Sequence, residues 1–550
     1  MTDERPDPDV ANPTLGEAEI QALEPFGTRV RLHDGDPLLQ AGVRRGGFFV
    51  VLEGAVEVLD RTGDTPRPIA VHGAGQFTGD IDILTRRASL VSACARGDTE
   101  LLRVGSSDVR RIISTQPALG DTLLRAFIAR RELLVSLGLS GIRLLGTQGS
   151  RDAFALRELL TRNQVPFTWI DVDEEPGIGE MVQHLGIERE DLPALIIGDR
   201  PVLRKPSPRQ LAEIVGLRRV QLEDTYDLVI VGGGPAGRAA SVYGASEGLR
   251  TLVLDRVAPG GQAGASMKIE NYLGFPTGVT GAELIGRATL QAQKFGAEMC
   301  SATAVAGLEL DGPDPIVRLD DGRPVAGRSV LIATGADYRK LDVPERDRFD
   351  GFGVYYAATP MELTACRGAD VIVVGAGNSA GQAVMFLSQH VRRVWLLLRG
   401  DDLRRNMSSY LAERVEGAGN VEVRRQTEIR QLRGDTRLEG VDVEHGPTGA
   451  IQQLAASAVF SFIGASPRTA WLPAAIETDD KGFVLTGRDL AARRPATDVR
   501  PPFALETSHP GVFAAGDVRH GSVKRVASAV GEGAMAVTFV HQHLADRQRA

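Results

Sequence analysis

The chain has 550 residues, 43% of them hydrophobic, with 63 Lys and Arg against 71 Asp and Glu and a formal net charge of −8. At about 150 residues per domain, this length predicts roughly three or four units, with apolar side chains for several cores. The acidic balance argues against a nucleic-acid partner, and no apolar run reaches the ~18 residues of a membrane span.

The opening stretch, MTDERPDPDVANPTLG, is acidic and Pro-rich and lacks the basic start and apolar centre of a signal peptide. Residues 1–15 read as a flexible tail. Residues 16–138 form a first unit. Over 28–105 short apolar runs, among them GGFFVVLEGAVEVLD, alternate with glycine turns. That spacing predicts a small antiparallel barrel or jelly roll. Helical periodicity follows from 106, with Ser107 as N-cap and Pro117 dividing two helices.

Residues 140–218 form a second unit. IRLLG (142–146), FTWIDV (167–172) and ALIIG (194–198) read as strands, with helices over 152–163 and around 178–185. This alternation predicts a compact α/β domain. The remainder holds two nucleotide-binding halves, one over 224–340 and 466–550, the other over 341–465.

LVIVGGGPAGRAASVYGA places a glycine fingerprint between a strand and a helix. Gly232 permits the tight turn, Gly234 lets backbone approach a pyrophosphate, and Gly237 lets helix and strand pack closely. Pro235 and Ala236 open the helix, whose free N–H groups face the phosphates. The next strand ends at Asp255, eighteen residues past Gly237, where a carboxylate accepts from a ribose 2′-hydroxyl. DVIVVGAGNSAGQAVMFL repeats the design with Gly375, Gly377, Asn378, Ser379 and Ala380. Its second strand ends at Arg399, and Arg404 follows; cations there suit a 2′-phosphate. The pattern predicts FAD in the first half and NADPH in the second. No metal-ligating cluster stands out.

From about residue 224 the chain resembles the low-molecular-weight thioredoxin reductases, flavoproteins of the class II pyridine nucleotide-disulfide oxidoreductase family. Beside the two fingerprints it carries GGQ (260–262), IENYLGFP (269–276), ATG (333–335), FAAGDV (513–518) and KRVASAVGEG (524–533). The resemblance implies that Gly261, Gln262, Asn271, Gly335 and Gly516 lie near FAD and that Asp517 holds its ribityl chain. Lys524, Arg525, Val526 and Ala527 would approach the isoalloxazine. The family's phosphate motif HRRxxxR reads LRGDDLR here, so Arg399 and Arg404 match and Leu398 and Gly400 do not. The resemblance also implies a homodimer, and rotation of one half against the other, with hinges at 336–341 and 464–468.

That family passes electrons through a CxxC dithiol. Aligned through GVYY, those positions are Ala357 and Pro360, giving AATP. Neither residue can attack a disulfide. Cys366 lies outside the motif and reads as a packing residue. The middle unit resembles a thioredoxin or glutaredoxin fold, with Pro193 at its cis-proline segment. Its CxxC positions fall on Ser150 and Ala153, giving SRDA. Its implied uses are docking a protein partner or acting as a spacer. The first unit resembles a cyclic-nucleotide-binding domain, which implies that FFVVLEGAVEVL is a strand pair turning at Gly54 and that Gly79, Asp80, Arg87 and Ser89 contact an effector.

The expected fold is therefore multidomain: an N-terminal β-barrel or jelly roll plus helices, a central thioredoxin-like α/β unit, and a C-terminal FAD/NADPH pair of Rossmann-like halves. The expected function is hydride transfer from NADPH to FAD, then electron delivery to an unidentified acceptor, with cyclic-nucleotide regulation. A small molecule, quinone, oxygen, iron–sulfur protein or partner disulfide all fit as acceptor. His520 is a candidate proton donor. The alternatives are a redox or nucleotide sensor with little turnover, and thioredoxin reduction through thiols lent by another chain. Each assigns the chain to the cytoplasm.

Overall fold

The structure is a computed structural model that describes residues 8–43, 47–60, 66–85, 89, 91–136, 142–174, 182, 185–197, 201–218, 225–266, 268–358, 360–491 and 500–549. The first unit is an antiparallel sheet of β1 (Gly27–Leu32), β2 (Pro37–Leu39), β3 (Gly47–Asp60), β4 (Arg67–His72) and β5 (Ser92–Gly105), ordered β1-β5-β3-β4 with β2 on β5. Phe48, Phe77 and Phe127 meet edge to face at its centre, each pair of ring centroids 5.9 Å apart.

Three expectations change here. Gly54 does not turn a hairpin. It sits inside the continuous strand β3 at φ +80, where the register slips, so it makes a bulge. The next helix, Ser106–Thr115, is capped at Gly105 rather than Ser107. Residues 8–15 are also not a free tail. Helix α1 (Pro8–Ala11) packs on the long helix Pro117–Ser136, Ala11 is fully buried, and the Arg130 guanidinium donates to its carbonyl at 2.6 Å.

The second unit has the strand order β7-β6-β8-β9, built from β6 (Ile142–Gly146), β7 (Thr168–Asp171), β8 (Ala194–Ile197) and β9 (Leu203–Arg204). β6 runs parallel to β7 and antiparallel to β8. Helix Arg151–Arg162 buries Ala153, Leu156, Leu159 and Leu160 at its i, i+3, i+4 spacing. The Leu192–Pro193 bond is cis, as Pro193 led us to expect. Most of the helix expected around 178–185 lies outside the described residues.

Two larger sheets form the centres of the two halves, the first mixed and the second parallel; an antiparallel sheet of Thr427–Arg433, Gly440–His445 and Ala450–Ala455 flanks the second. The first runs β12-β11-β10-β15-β14-β13, from β10 (Thr225–Val231), β11 (Thr251–Leu254), β12 (Glu298–Cys300), β13 (Val305–Glu309), β14 (Ile316–Leu319) and β15 (Pro324–Ile332), with β13, β14 and β15 paired antiparallel in turn. The segment Val512–Ala514 returns to pair with β15. In the second half a strand Asp370–Val374 lies between Ala458–Ser461 and Arg393–Leu397, with Val421–Arg424 beyond. The chain passes between the halves through one antiparallel pair, Ala336–Tyr338 against Ala465–Pro467. Both expected hinge segments meet there.

Candidate cofactor sites and the missing dithiol

The first fingerprint closes as its glycines require. Gly232 has φ +115, and a Cβ on it would lie 2.2 Å from the Ala333 carbonyl oxygen. A Cβ on Gly237 would lie 1.9 Å from the Gly232 oxygen. Gly234 differs: nothing stands within 4 Å of a Cβ there. It is also the N-cap of helix Pro235–Ser246, with no side chain bonding to that end. Open backbone before an uncapped helix is the cradle a pyrophosphate needs. Gly261 faces it, its Cβ position 3.3 Å from the Gly234 Cα. These residues fit FAD.

Asp255 stands at the end of β11 as expected. One carboxylate oxygen accepts the Gly233 N–H at 2.8 Å, and the other accepts Val257 and Ala258 N–H groups at 2.9 Å. These bonds fix the carboxylate beside the loop. The sequence reading missed Arg238. It is 2% exposed, donates to the Gly233 carbonyl at 3.2 Å, and burial lowers its pKa to about 10 against the opposing pull of Asp255. The only signal was a charged residue directly after the third glycine, where helix packing wants small side chains.

Gln262 donates to the Ala336 carbonyl, which ties the GGQ loop to the hinge strand. Asn271 is exposed. Gly335 and Gly516 adopt φ +65 and +78. Asp517 is half-buried, and burial holds its carboxyl above the usual range despite Lys524. Arg525 and Ala527 are exposed and Val526 is half-buried, at the start of helix Val526–Arg549. That helix crosses Pro235–Ser246 closely: a Cβ on Gly533 would meet the Ala236 oxygen at 2.1 Å. His520 pairs with Asp479 at 2.8 Å, its side chain 45% exposed.

The second fingerprint repeats the geometry. Gly375 has φ +141, and its Cβ would lie 2.5 Å from the Phe462 oxygen. Gly377 caps helix Asn378–Leu387 and is open, with only the Asn406 oxygen near, at 3.9 Å. The Asn378 side chain accepts the Ser408 N–H, Ser379 is exposed and Ala380 is buried. This fits a dinucleotide. Arg399 and Arg404 project beside it, 75% and 44% exposed. Both face carboxylates: Arg399 lies 3.6 Å from Glu428, and Arg404 2.8 Å from Glu416. Glu416 also holds Arg425 at 2.8 Å, a third cation that the motif alignment did not include.

The lost dithiol segment is packed rather than open. Ala357 is half-buried and Ala358 is 8% exposed. Pro360 starts the helix Pro360–Cys366. Cys366 is 2% exposed in the core with Tyr355, Val373 and Phe460, and its thiol donates to the Glu362 carbonyl. Burial, then the Glu362 charge, pushes that thiol up to about 11. In the second unit, Ser150 caps its helix by accepting the Ala153 N–H at 3.2 Å. A hydroxyl suits that cap, and no sulfur lies there.

In the first unit, Gly79 has φ +109 and its carbonyl accepts from Arg130 at 2.9 Å. Asp80 is buried and turned inward. It accepts the Asp82 N–H and lies 3.9 Å from Arg131, which bonds Asp82 at 2.9 Å. Ser89 is buried, its hydroxyl donating to Val91. Arg87 lies outside the described residues. Among the described residues no group of His, Cys, Asp and Glu suits a metal ion, and no helix is long and apolar enough to cross a membrane.

The pairing of two dinucleotide cradles defines a class of nicotinamide- and flavin-binding oxidoreductases. The family model described as pyridine nucleotide-disulphide oxidoreductase matches residues 226–533, and the cyclic nucleotide-binding domain model matches 29–116. The chain is 34% identical to the thioredoxin reductase of Treponema pallidum over 57% of its length and 96% of that protein's. It is 33% identical to that of Mycolicibacterium smegmatis, over 59% and 98%. Among solved structures, Lactococcus lactis thioredoxin reductase in the FR conformation superposes with a TM-score of 0.53 at 28% identity, covering 58% of this chain and 99% of that one. This chain belongs to the pyridine nucleotide-disulphide oxidoreductase family, as an NAD(P)H-dependent flavoprotein oxidoreductase of thioredoxin reductase type fused to a cyclic nucleotide-binding domain. The cofactors of that family type are FAD and NADPH.

Proposed function

We propose that this chain oxidises NADPH and delivers the electrons to an acceptor outside itself, without an internal redox dithiol. One observation carries the reading: both dinucleotide cradles are intact, while the aligned CxxC segment is Ala357 to Pro360 and the nearest cysteine in sequence, Cys366, is a buried, protonated thiol. When bound, the two cofactors supply hydride transfer from nicotinamide to isoalloxazine. The chain's part is to bind and orient. Gly234 and the helix start at Pro235 receive the FAD pyrophosphate, Asp255 its ribose, and Asp517 its ribityl chain. Gln262 fixes the GGQ loop against the hinge. Gly377 with Asn378 receives the NADPH pyrophosphate, and Arg399 and Arg404 its 2′-phosphate. The domain limits given above, a thioredoxin-like fold for residues 140–218, a homodimer and a cytoplasmic setting belong to the same reading. The test is NADPH consumption by the purified chain with thioredoxin, quinones and iron–sulfur proteins as acceptors. Turnover with a thiol-independent acceptor is expected; turnover with thioredoxin alone contradicts it.

A specific contact favours cyclic-nucleotide control as well. The helix Asp82–Thr85, between Asp80 and Ser89 of the first unit, packs on helix Gly281–Lys294 of the FAD-binding half, and Leu290 joins the first unit's core. Five residues earlier on that helix, Ile285 lies against the GGQ loop, 3.0 Å from a Cβ on Gly260. The effector-contact segment of the first unit and the GGQ loop thus bear on one rigid element. Cyclic AMP or GMP is expected to change the turnover rate, and Leu290→Lys to abolish that change. A rate indifferent to both nucleotides removes this part of the reading.

A further inference from the structure

The second unit is fastened to the FAD-binding half at several points. Arg218 is 1% exposed, donates to the Ala302 carbonyl at 2.6 Å and bonds Asp320 and Asp321. The Ser301 N–H donates to the Leu217 carbonyl at 2.9 Å. Helix Arg151–Arg162 ends in the same anchorage: Arg162 donates to the Gly261 carbonyl at 3.2 Å, Asn163 to Val257 at 3.2 Å, and Gln164 to Ala282 at 2.9 Å.

The other end of that helix reaches the NADPH-binding half. Arg151 donates to the carbonyls of Asp347 and Arg348 at 2.9 and 3.4 Å, and its guanidinium lies 5.6 Å from the Phe352 ring centroid. The helix therefore spans the two halves, which the chain itself joins only by the paired strands at 336–338 and 465–467. A two-strand joint permits rotation, and a second attachment away from it restrains rotation. A further cross-contact, Arg414 to Glu270 at 3.3 Å, joins the halves in the same arrangement.

We propose that helix Arg151–Arg162 is a strap that holds the NADPH-binding half in one orientation against the FAD-binding half, with Arg151 as the positioning residue at its free end. The end that carries thiols in a redox-active thioredoxin fold is here an arginine latch on the 347–352 segment of the NADPH-binding half, away from the joint. This rests on the oxidoreductase reading only for its effect on rate; the restraint itself does not. Arg151 is exposed, so its replacement spares the fold.

The test is hydrogen exchange of the full chain over 336–352 and 465–467, with anaerobic flavin-bleaching rates in parallel. Arg151→Ala removes a charged hydrogen bond and is expected to speed exchange there about five-fold, and Arg151→Glu more. The bleaching rate is expected to fall by about three-fold or more, with NADPH KM unchanged, and Arg151→Lys to restore part of it. Exchange unchanged in both Arg151→Ala and Arg151→Glu overturns the strap, whatever the enzyme reduces. Faster exchange with an unchanged bleaching rate overturns the positioning role.

Discussion

His520 and Asp479 form a pair across 41 residues of sequence, ring Nδ1 to carboxylate oxygen at 2.8 Å. Burial pushes the Asp479 carboxyl up, yet the His520 bond and the Phe483 and Lys481 N–H groups outweigh it and leave the group below its ordinary range. A carboxyl depressed on folding adds stability above the unfolded pKa of about 4 and loses it as pH falls through the folded value. Asp479→Asn is therefore expected to cost about 1 kcal/mol at pH 7 and nothing in strong acid. Because a carboxylate and solvent already occupy His520, His520→Ala is expected to leave hydride transfer within about two-fold. Urea melts at two pH values and rapid-mixing rates check both.

Cys366 gives a second expectation. Its thiol, pushed up to about 11, is protonated near neutrality and buried. Cys366→Ala is expected to leave NADPH oxidation unchanged and to cost about 1 kcal/mol of stability through lost packing. Native-state alkylation at pH 8 should not label it. Rapid labelling together with lost turnover would restore a redox role to that sulfur.

On the proposed reading, the arginines of the second half set the nicotinamide preference. Glu416 holds Arg404 and Arg425 at 2.8 Å each. A 2′-phosphate must draw them from that carboxylate. Arg404→Ala is expected to raise the NADPH KM about ten-fold with little effect on NADH, and Glu416→Gln to lower the NADPH KM. Steady-state kinetics with both nucleotides decides this. Equal losses for NADH and NADPH would show that Arg404 does not read the phosphate.

Much of this was legible from local pattern. The fingerprints announced themselves because only glycine fits where backbone oxygens stand within about 2 Å of a Cβ, as at Gly232 and Gly237. The strand ends at Asp255 and Arg399 followed from spacing. Long-range choices were not legible. Gly54 reads as a turn until β5 lies beside it, because a bulge is defined by its partner strand. The inward turn of Asp80 depends on Arg131, 51 residues away. Arg151 reads as a surface charge until the 347–352 segment, almost two hundred residues later, comes under it.

The most direct measurement is an anaerobic NADPH titration of the FAD-loaded chain, followed by flavin absorbance and free-thiol count. We expect complete bleaching with about one equivalent of NADPH per flavin and no new thiols, since none of the three cysteines forms a couple. Absorbance that never bleaches, or bleaching that takes about two equivalents while thiols appear, would contradict it.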